Sequence, residues 1–449
     1  MLKKLNPPQI VAISFLVAIL IGAVLLSMPF ASKSGKSLSL IDSLFTATSA
    51  TCVTGLIVRD TGTYFSGFGK AVILVLVQMG GLGIMTFSTL FAVLLGRKLT
   101  IKHDVVIQRT MAPNKVQNLS SLLKYILLIT LGIEFLGAIC LALRWSKTMD
   151  WSMGSLLINS VFHAISAFCN AGFSLFSKSF TAFAGDTYIN LIMISLIVIG
   201  GIGFIVILEL PRLTEKKPFY RVSIQTKVAI TITFGLILLG ALLFFFTESN
   251  NTMAGLSMKE KILGSFFQSV TTRTAGFNTL NIGSLAVPTL FFFVFLMFIG
   301  ASPGSTGGGI KTCTFGVLLA TAFSMIKNRD RVSIFKKTIP KEVVRKSLVV
   351  VFLAFLWIFG AVFLLALTEC KNSALFDNFF LRILFEVTSA FGTVGLSTGI
   401  TPTLSAAGKL IIILTMFAGR IGPLTLALAI ALQRERVAYA YPEEKIMIG

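Results

Sequence analysis

Charge is scarce in this chain: 13% of its 449 residues are Asp, Glu, Lys or Arg, against 55% hydrophobic, and mean hydropathy is +0.88. A soluble fold needs a charged surface, so this balance excludes one and indicates a polytopic membrane protein. Histidine is scarcer still, with only His103 and His163, and no HExxH run occurs. A membrane enzyme would need a convergent set of nucleophile, base or metal ligands, and the composition offers little from which to build one. The five cysteines, Cys52, Cys140, Cys169, Cys313 and Cys370, show no paired spacing. They read as small core residues rather than a disulfide framework or a zinc site. No stretch outside the apolar segments has the length of a soluble domain, so regulatory machinery is expected on a separate chain.

Acidic residues are the rarer sign, 18 against 39 basic, for a net charge of +21. In a soluble protein this would suggest nucleic acid; here the placement argues for topology and no nucleic-acid partner. Six basic residues lie between 97 and 124 (Arg97, Lys98, Lys102, Arg109, Lys115, Lys124), five from Arg212 to Lys227, and eight from Lys327 to Lys346. By the positive-inside rule these linkers, and with them both termini, are expected in the cytoplasm. The apolar run from Pro8 to Met28 lacks a convincing cleavage site and reads as a spanning helix, not a signal peptide. The stretch from Arg97 to Gln117 is amphipathic; it reads as a solvated face, with a membrane surface or a partner chain as alternatives.

What the chain does have is a fourfold internal repeat. Four segments place a Phe ten residues before a glycine: Phe45 to Gly55, Phe162 to Gly172, Phe266 to Gly276 and Phe385 to Gly395, the glycines 117, 104 and 119 residues apart. At ~20 residues per crossing, eight spans are predicted, near 9–28, 70–95, 120–143, 188–210, 226–247, 287–326, 346–368 and 405–432. Between the members of each pair lies a helix too short to cross, near 41–51, 156–168, 260–271 and 376–390. Each must enter and return. The expected fold is therefore all-α: four tandem helix, pore loop, helix units (1–110, 111–216, 217–337 and 338–449) around one pseudo-fourfold pore. A polar loop at membrane depth is tolerated only where protein buries it or it lines a watery path.

Conducting a dehydrated cation needs oxygens that replace its water shell, and rings of main-chain carbonyls supply them. Gly55, Gly172, Gly276 and Gly395 permit the torsions that turn such carbonyls to an axis. The residues before them, Val53 and Thr54, Asn170 and Ala171, Thr274 and Ala275, Thr393 and Val394, can pack behind that surface. The C-terminal ends of four short helices add partial negative charge, which favours a cation. A single glycine would read as a tight turn; four at matched offsets read as a filter.

These segments resemble the Trk, Ktr and HKT superfamily of potassium transporters, and SATCVTGL, SAFCNAGF and the compact layout look most like the membrane subunit of bacterial Ktr systems. The resemblance covers essentially the whole chain. It implies a selectivity filter at the four glycines with potassium on its carbonyls, and glycine rather than serine at position 55 implies potassium selectivity. The TVGYG run of potassium channels is absent, which implies looser discrimination against sodium. It further implies a homodimer with one pore per chain in a bacterial plasma membrane, and a cytoplasmic ring of nucleotide-binding RCK subunits as partner. No cofactor is expected on this chain, and sodium dependence is left open.

The sixth span is interrupted by Gly300, Ala301, Ser302, Pro303, Gly304, Ser305, Thr306, Gly307, Gly308 and Gly309. Proline removes a donor and glycine disfavours helix, so unwound backbone is expected here, or at least a packing kink. The resemblance makes this the intramembrane gate loop beneath the filter, with Lys311 beside it. A phosphate-cradling loop is excluded because Ile310, not glycine, precedes Lys311. Milder break regions occur at comparable depth, at Gly80, Gly81 and Gly83, at Gly200, Gly201 and Gly203, and at Gly419 and Gly422, for close helix approach or a wider pore. Arg420 is a costly charge in the eighth span, and by resemblance it faces the pore near the gate loop; a structural ion pair is the alternative. Arg273, three residues before Gly276, is expected to turn behind the filter towards carbonyls or a carboxylate, with Glu386 as candidate partner. Glu134 and His163 are candidates for proton or sodium coupling, or else hydrogen-bonded structural groups.

Overall fold

The computed structural model describes residues 7–83, 119–210, 222–370 and 377–430. The linker from Arg97 to Gln117, the inner part of the second span, both termini and the unit boundaries near 110 and 216 lie outside the described residues. Among the described residues, four helices are long and apolar enough to cross a membrane: α1 (Pro7–Ser27), α4 (Leu119–Thr148), α8 (Ile224–Glu248) and α12 (Lys341–Thr368). They leave large apolar side chains outside, such as Phe352, Phe355, Phe359 and Phe363 on α12, as lipid-facing helices do.

A shorter, more buried helix follows each: α2 (Leu40–Thr51), α5 (Met153–Phe168), α9 (Met258–Thr271) and α13 (Phe379–Gly392). Ser39, Ser152 and Ser257 cap the first three by accepting a main-chain N–H, and Ser257 forms a reciprocal capping box with Glu260, so helix starts are fixed locally. After each glycine loop comes a third helix: α3 (Gly67–Leu82), α6 (Thr187–Ile202), α10 (Val287–Phe298) and α14 (Ala406–Ile421). Three of the last set continue past a break, into α7 (Phe204–Glu209), α11 (Thr312–Ile326) and α15 (Pro423–Ile430). A two-residue hairpin, β1 (Ser333–Ile334) with β2 (Lys337–Thr338), links α11 to α12.

Two expected spans are not straight. The eighth bends by 97° between α14 and α15, and the fourth breaks at Gly203. Gly83, Gly203 and Gly422 hold φ of +80°, +99° and +91°, a region that costs any residue with a Cβ. The glycine pairs just before them serve close approach: a Cβ on Gly80, Gly200 or Gly419 would collide with the main-chain oxygen of Thr51, Phe168 or Phe391 on the short helix of the same unit. Packing and helix breaking are thus divided between neighbouring glycines.

The units close into a ring. Each third helix packs on the short helix of the next unit: α3 on α5, α6 on α9, α10 on α13, and α14 back on α2. At the closing seam Lys409 Nζ on α14 lies 2.7 Å from Asp42 Oδ1 on α2.

Candidate functional site

The four loops meet at their glycines. A Cβ on Gly55 would lie within 3.0 Å of the Ala171 carbonyl oxygen, one on Gly172 of that of Ala275, one on Gly276 of that of Val394, and one on Gly395 of that of Thr54. The order is cyclic, so four glycines and the four preceding carbonyls form one closed circuit too tight for any side chain. The glycine φ values are +90°, +69°, +77° and +88°. All eight residues predicted to pack behind them, from Val53 and Thr54 to Thr393 and Val394, are fully buried.

Sequence reasoning missed that a second left-handed residue sits two positions earlier in every loop. Val53, Asn170, Thr274 and Thr393 have φ of +56°, +58°, +72° and +51°. For β-branched Val and Thr this is a strained state, held only where surroundings fix it. Extended chain sends successive carbonyls to opposite sides. Alternating the sign of φ turns them to one side, the arrangement a carbonyl-lined ion path uses.

Hydroxyls clamp each loop to its own short helix. Ser49 Oγ and Ser389 Oγ accept from the N–H of Gly55 and Gly395, both at 3.1 Å. In the other two units the hydroxyl instead donates past the glycine, Ser166 to the Phe173 carbonyl (2.7 Å) and Thr271 to that of Phe277 (2.5 Å). The signal was visible: serine stands six residues before the glycine in three copies, with Val270 there in the third and Thr271 next to it.

Beneath this circuit lies non-helical backbone between α10 and α11. Its ends pair, with Gly300 N–H donating to Ile310 O at 2.9 Å and Thr312 N–H to Ala301 O at 3.2 Å. The body docks on the second unit: Ser302 N–H donates to Gly201 O (3.0 Å), Thr306 N–H to Gly200 O (3.3 Å), and Phe204 N–H to Gly304 O (2.9 Å). Its top touches the left-handed residues, because a Cβ on Gly307 or Gly308 would strike Thr274 or Thr393 and Gly308 N–H donates to Thr393 Oγ1 at 2.9 Å. Gly203 packs over the Pro303 carbonyl. Ser305 Oγ donates to Ser302 O, and Lys311 Nζ to Gly307 O at 2.7 Å. Gly304 and Gly309 are left-handed at φ +70° and +66°.

Two arginines reach this loop, and among the described residues neither has a carboxylate partner. Arg420 donates from Nη1 to Thr306 O and from Nη2 to Gly80 O, joining the loop to the first and fourth units. Of the acceptors expected for Arg273, a carbonyl is the one used, Nη2 donating to Gly300 O at 3.1 Å, and the candidate Glu386 is not its partner. Glu386 faces the other way and accepts from Ser397 Oγ (2.5 Å), Thr398 N (2.9 Å) and Thr401 Oγ1 (2.8 Å). A carboxylate saturated by local hydroxyls and an amide needs no distant cation.

His163 is likewise satisfied. Its Nδ1 faces Asn159 O at 2.8 Å, Nε2 accepts from Leu175 N at 3.2 Å, and its ring stacks on Phe176 at 4.5 Å. Glu134 accepts from Gln78 Nε2 (3.1 Å) and from Cys169 Sγ. Cys52 and Cys169 are buried as expected, whereas Cys370 is exposed; all five thiols are free. Two runs satisfy G-x-S-x-G, a hydrolase pattern that reading the sequence overlooked: Gly300–Gly304 and Gly395–Gly399. Ser302 Oγ meets Thr312 Oγ1 at 2.9 Å and Ser397 Oγ donates to Glu386, so among the described residues neither serine faces a histidine, as that chemistry requires.

On the other side of the glycines lies a cavity of ≈ 180 Å³ lined by residues that follow each glycine, among them Ser177, Lys178, Asn281 and Ser397. The molecule thus has a polar cavity, a tight glycine circuit and a docked loop in series.

Residues 5–439 match the model of the TrkH family, described as cation transport protein. The chain belongs to this family. It is a multi-pass membrane transport protein, not an enzyme. The Ktr system potassium uptake protein B of Bacillus subtilis is 42% identical over 448 residues, covering 99% of this chain and 97% of that one. The potassium/sodium uptake protein NtpJ of Enterococcus hirae is 37% identical over 452 residues, covering 100% and 98%. The crystal structure of the potassium transporter TrkH from Vibrio parahaemolyticus superposes with a TM-score of 0.70 at 20% identity, covering 93% of this chain and 84% of that one, a likeness of fold.

Proposed function

We propose that this chain is the membrane subunit of a bacterial potassium uptake system, passing the ion inward through the glycine circuit. The cyclic contact of Gly55, Gly172, Gly276 and Gly395 carries this reading: it sets carbonyl-bearing loops from four units around one point, in the conformation that aims oxygens at a common path. The C-terminal ends of α2, α5, α9 and α13 lead into these loops and favour a cation. The membrane potential supplies ~2.3 kcal/mol per charge for each 100 mV.

In this reading the chain makes eight crossings and four re-entrant helices, as units 1–110, 111–216, 217–337 and 338–449, with both termini in the cytoplasm of a bacterial plasma membrane. Residues 300–309 with Lys311 form the gate, held shut by Arg420, and a cytoplasmic RCK-type nucleotide-binding ring moves it in a homodimer. The direct contact of Gly307 and Gly308 with Thr274 and Thr393 supports a gate at that level, and the relatives' names, potassium uptake and potassium/sodium uptake, support the ion.

The test is rescue of low-potassium growth in an uptake-deficient bacterium, with and without an RCK partner, comparing wild type with Gly55→Ser. Rescue by the wild type and a lowered potassium-to-sodium uptake ratio in the variant are expected. An unchanged ratio in a well-expressed variant overturns the filter assignment.

A further inference from the structure

The cavity that leads to the glycine circuit carries a fixed-sign group. Among the described residues fifteen line it, including all four glycines, and of these Lys178 alone bears a charge, which is positive. It sits in the turn after α5, beside Ser177 and left-handed Ser179, and is exposed. Asp60, the nearby acid, is engaged with Thr63 and Ser177 and is not part of the lining.

A fixed ammonium in a chamber through which cations must pass is a paradox only if the chamber is meant to concentrate them. The physics gives it the opposite effect. A like charge about 10 Å away costs a passing monovalent cation on the order of 0.4 kcal/mol at ε ≈ 80 and twice that at half the dielectric, which is about a two- to fourfold reduction in local concentration. Because ions reach the filter through this chamber, their local concentration there scales the external concentration needed for half-maximal uptake.

We infer that Lys178 is an electrostatic brake on cation access: it raises the external concentration needed for half-maximal uptake without touching the filter. The inference rests on the filter reading above and adds to it a residue that sets apparent affinity instead of ion choice.

Three properties follow from a charge effect and not from packing. Lys178→Arg keeps the charge and leaves half-saturation unchanged. Lys178→Ala removes one unit and lowers half-saturation about two- to fourfold, while Lys178→Glu changes it by two units and doubles the logarithm of that effect. All shifts shrink as salt rises, because the Debye length falls from about 30 Å at 0.01 M to about 10 Å at 0.1 M.

The experiment is rubidium tracer uptake into proteoliposomes holding the full-length protein with its cytoplasmic partner. Ionic strength is set by a large organic cation salt, and wild type, Lys178→Arg, Lys178→Ala, Lys178→Glu and Gly55→Ser are run side by side. The expected result is graded half-saturation at 0.01 M that converges above 0.1 M, with maximal rates and the rubidium-to-sodium ratio unchanged in the three Lys178 variants. Equal half-saturation for wild type, Lys178→Ala and Lys178→Glu at low salt overturns the inference, as does a shift that salt leaves intact. If the Lys178 variants behave like wild type while Gly55→Ser alters ion preference, the brake falls and the filter stands. If Gly55→Ser is also silent, the filter reading itself fails.

Discussion

Arg420 donates to the main-chain oxygen of Thr306, so a side chain on the last turn of α14 holds a loop that belongs to another unit. Its second donor goes to Gly80, and each such bond from a charged donor contributes about 1.5–3 kcal/mol. Arg420→Ala is expected to raise rubidium flux several-fold in protein without the proposed RCK-type partner, and deletion of residues 304–309 to do the same. Arg420→Lys separates two causes, because it keeps the charge yet cannot reach both carbonyls. Raised flux in the lysine variant marks a latch; raised flux only in alanine marks a charge barrier. A fall in all variants of properly assembled protein shows that the bonds merely support the fold.

Gly35 and Gly55 provide a matched pair for measuring what crowding adds to torsion. Both are left-handed, at +68° and +90°, but a Cβ on Gly35 meets nothing within 4 Å whereas one on Gly55 meets Ala171 O at 2.6 Å. Gly35→Ala is expected to cost only the torsional term of about 1–2 kcal/mol and to leave transport intact. Gly55→Ala is expected to cost more and to change ion preference. Thermal unfolding in detergent and competitive uptake of rubidium and sodium measure the two effects, and equal destabilisation by both variants would remove the close-contact explanation.

Ser49 holds the N–H of Gly55, a buried donor with its orientation at stake. Ser49→Ala leaves that donor unmet and is expected to cost about 1–3 kcal/mol and to loosen discrimination between potassium and sodium. Ser49→Thr retains the oxygen and is expected to fall between alanine and wild type. Denaturation midpoints and the uptake ratio, measured on the same preparations, decide whether the hydroxyl positions the glycine or only fills space.

The repeat was legible because Phe and Gly recur at a fixed offset; Phe45, Phe162 and Phe385 are buried, whereas Phe266 is exposed and Phe267 beside it is buried instead. The interruption at 300–309 was legible too: no run of five glycines and a proline sustains a helix. The left-handed states of Val53 and Thr393 were not, since those side chains ordinarily avoid that region and only the surrounding ring enforces it. The glycine runs that end at Gly203 and Gly422 were visible as milder counterparts of the interruption at 300–309, but not which glycine in each turns the helix. Arg273 was expected to turn towards carbonyls or a carboxylate, and it is the Gly300 carbonyl that takes its bond; which carbonyl, and that Glu386 is not the partner, leaves no mark in the sequence. Whether a glycine packs or breaks, as at Gly200 and Gly203, is settled by what the neighbouring unit presents.

The hydroxyl clamps of the first and fourth units grip the glycine amide, while those of the second and third hold a carbonyl beyond it. The aperture is therefore built from two adjoining pairs of unlike walls. Where identical subunits surround an axis, any substitution is imposed on all sides at once. Here a single codon alters one quarter of the perimeter, so if the circuit is the proposed ion path, the conduit can be retuned by degrees and an off-centre resting position for the ion is expected.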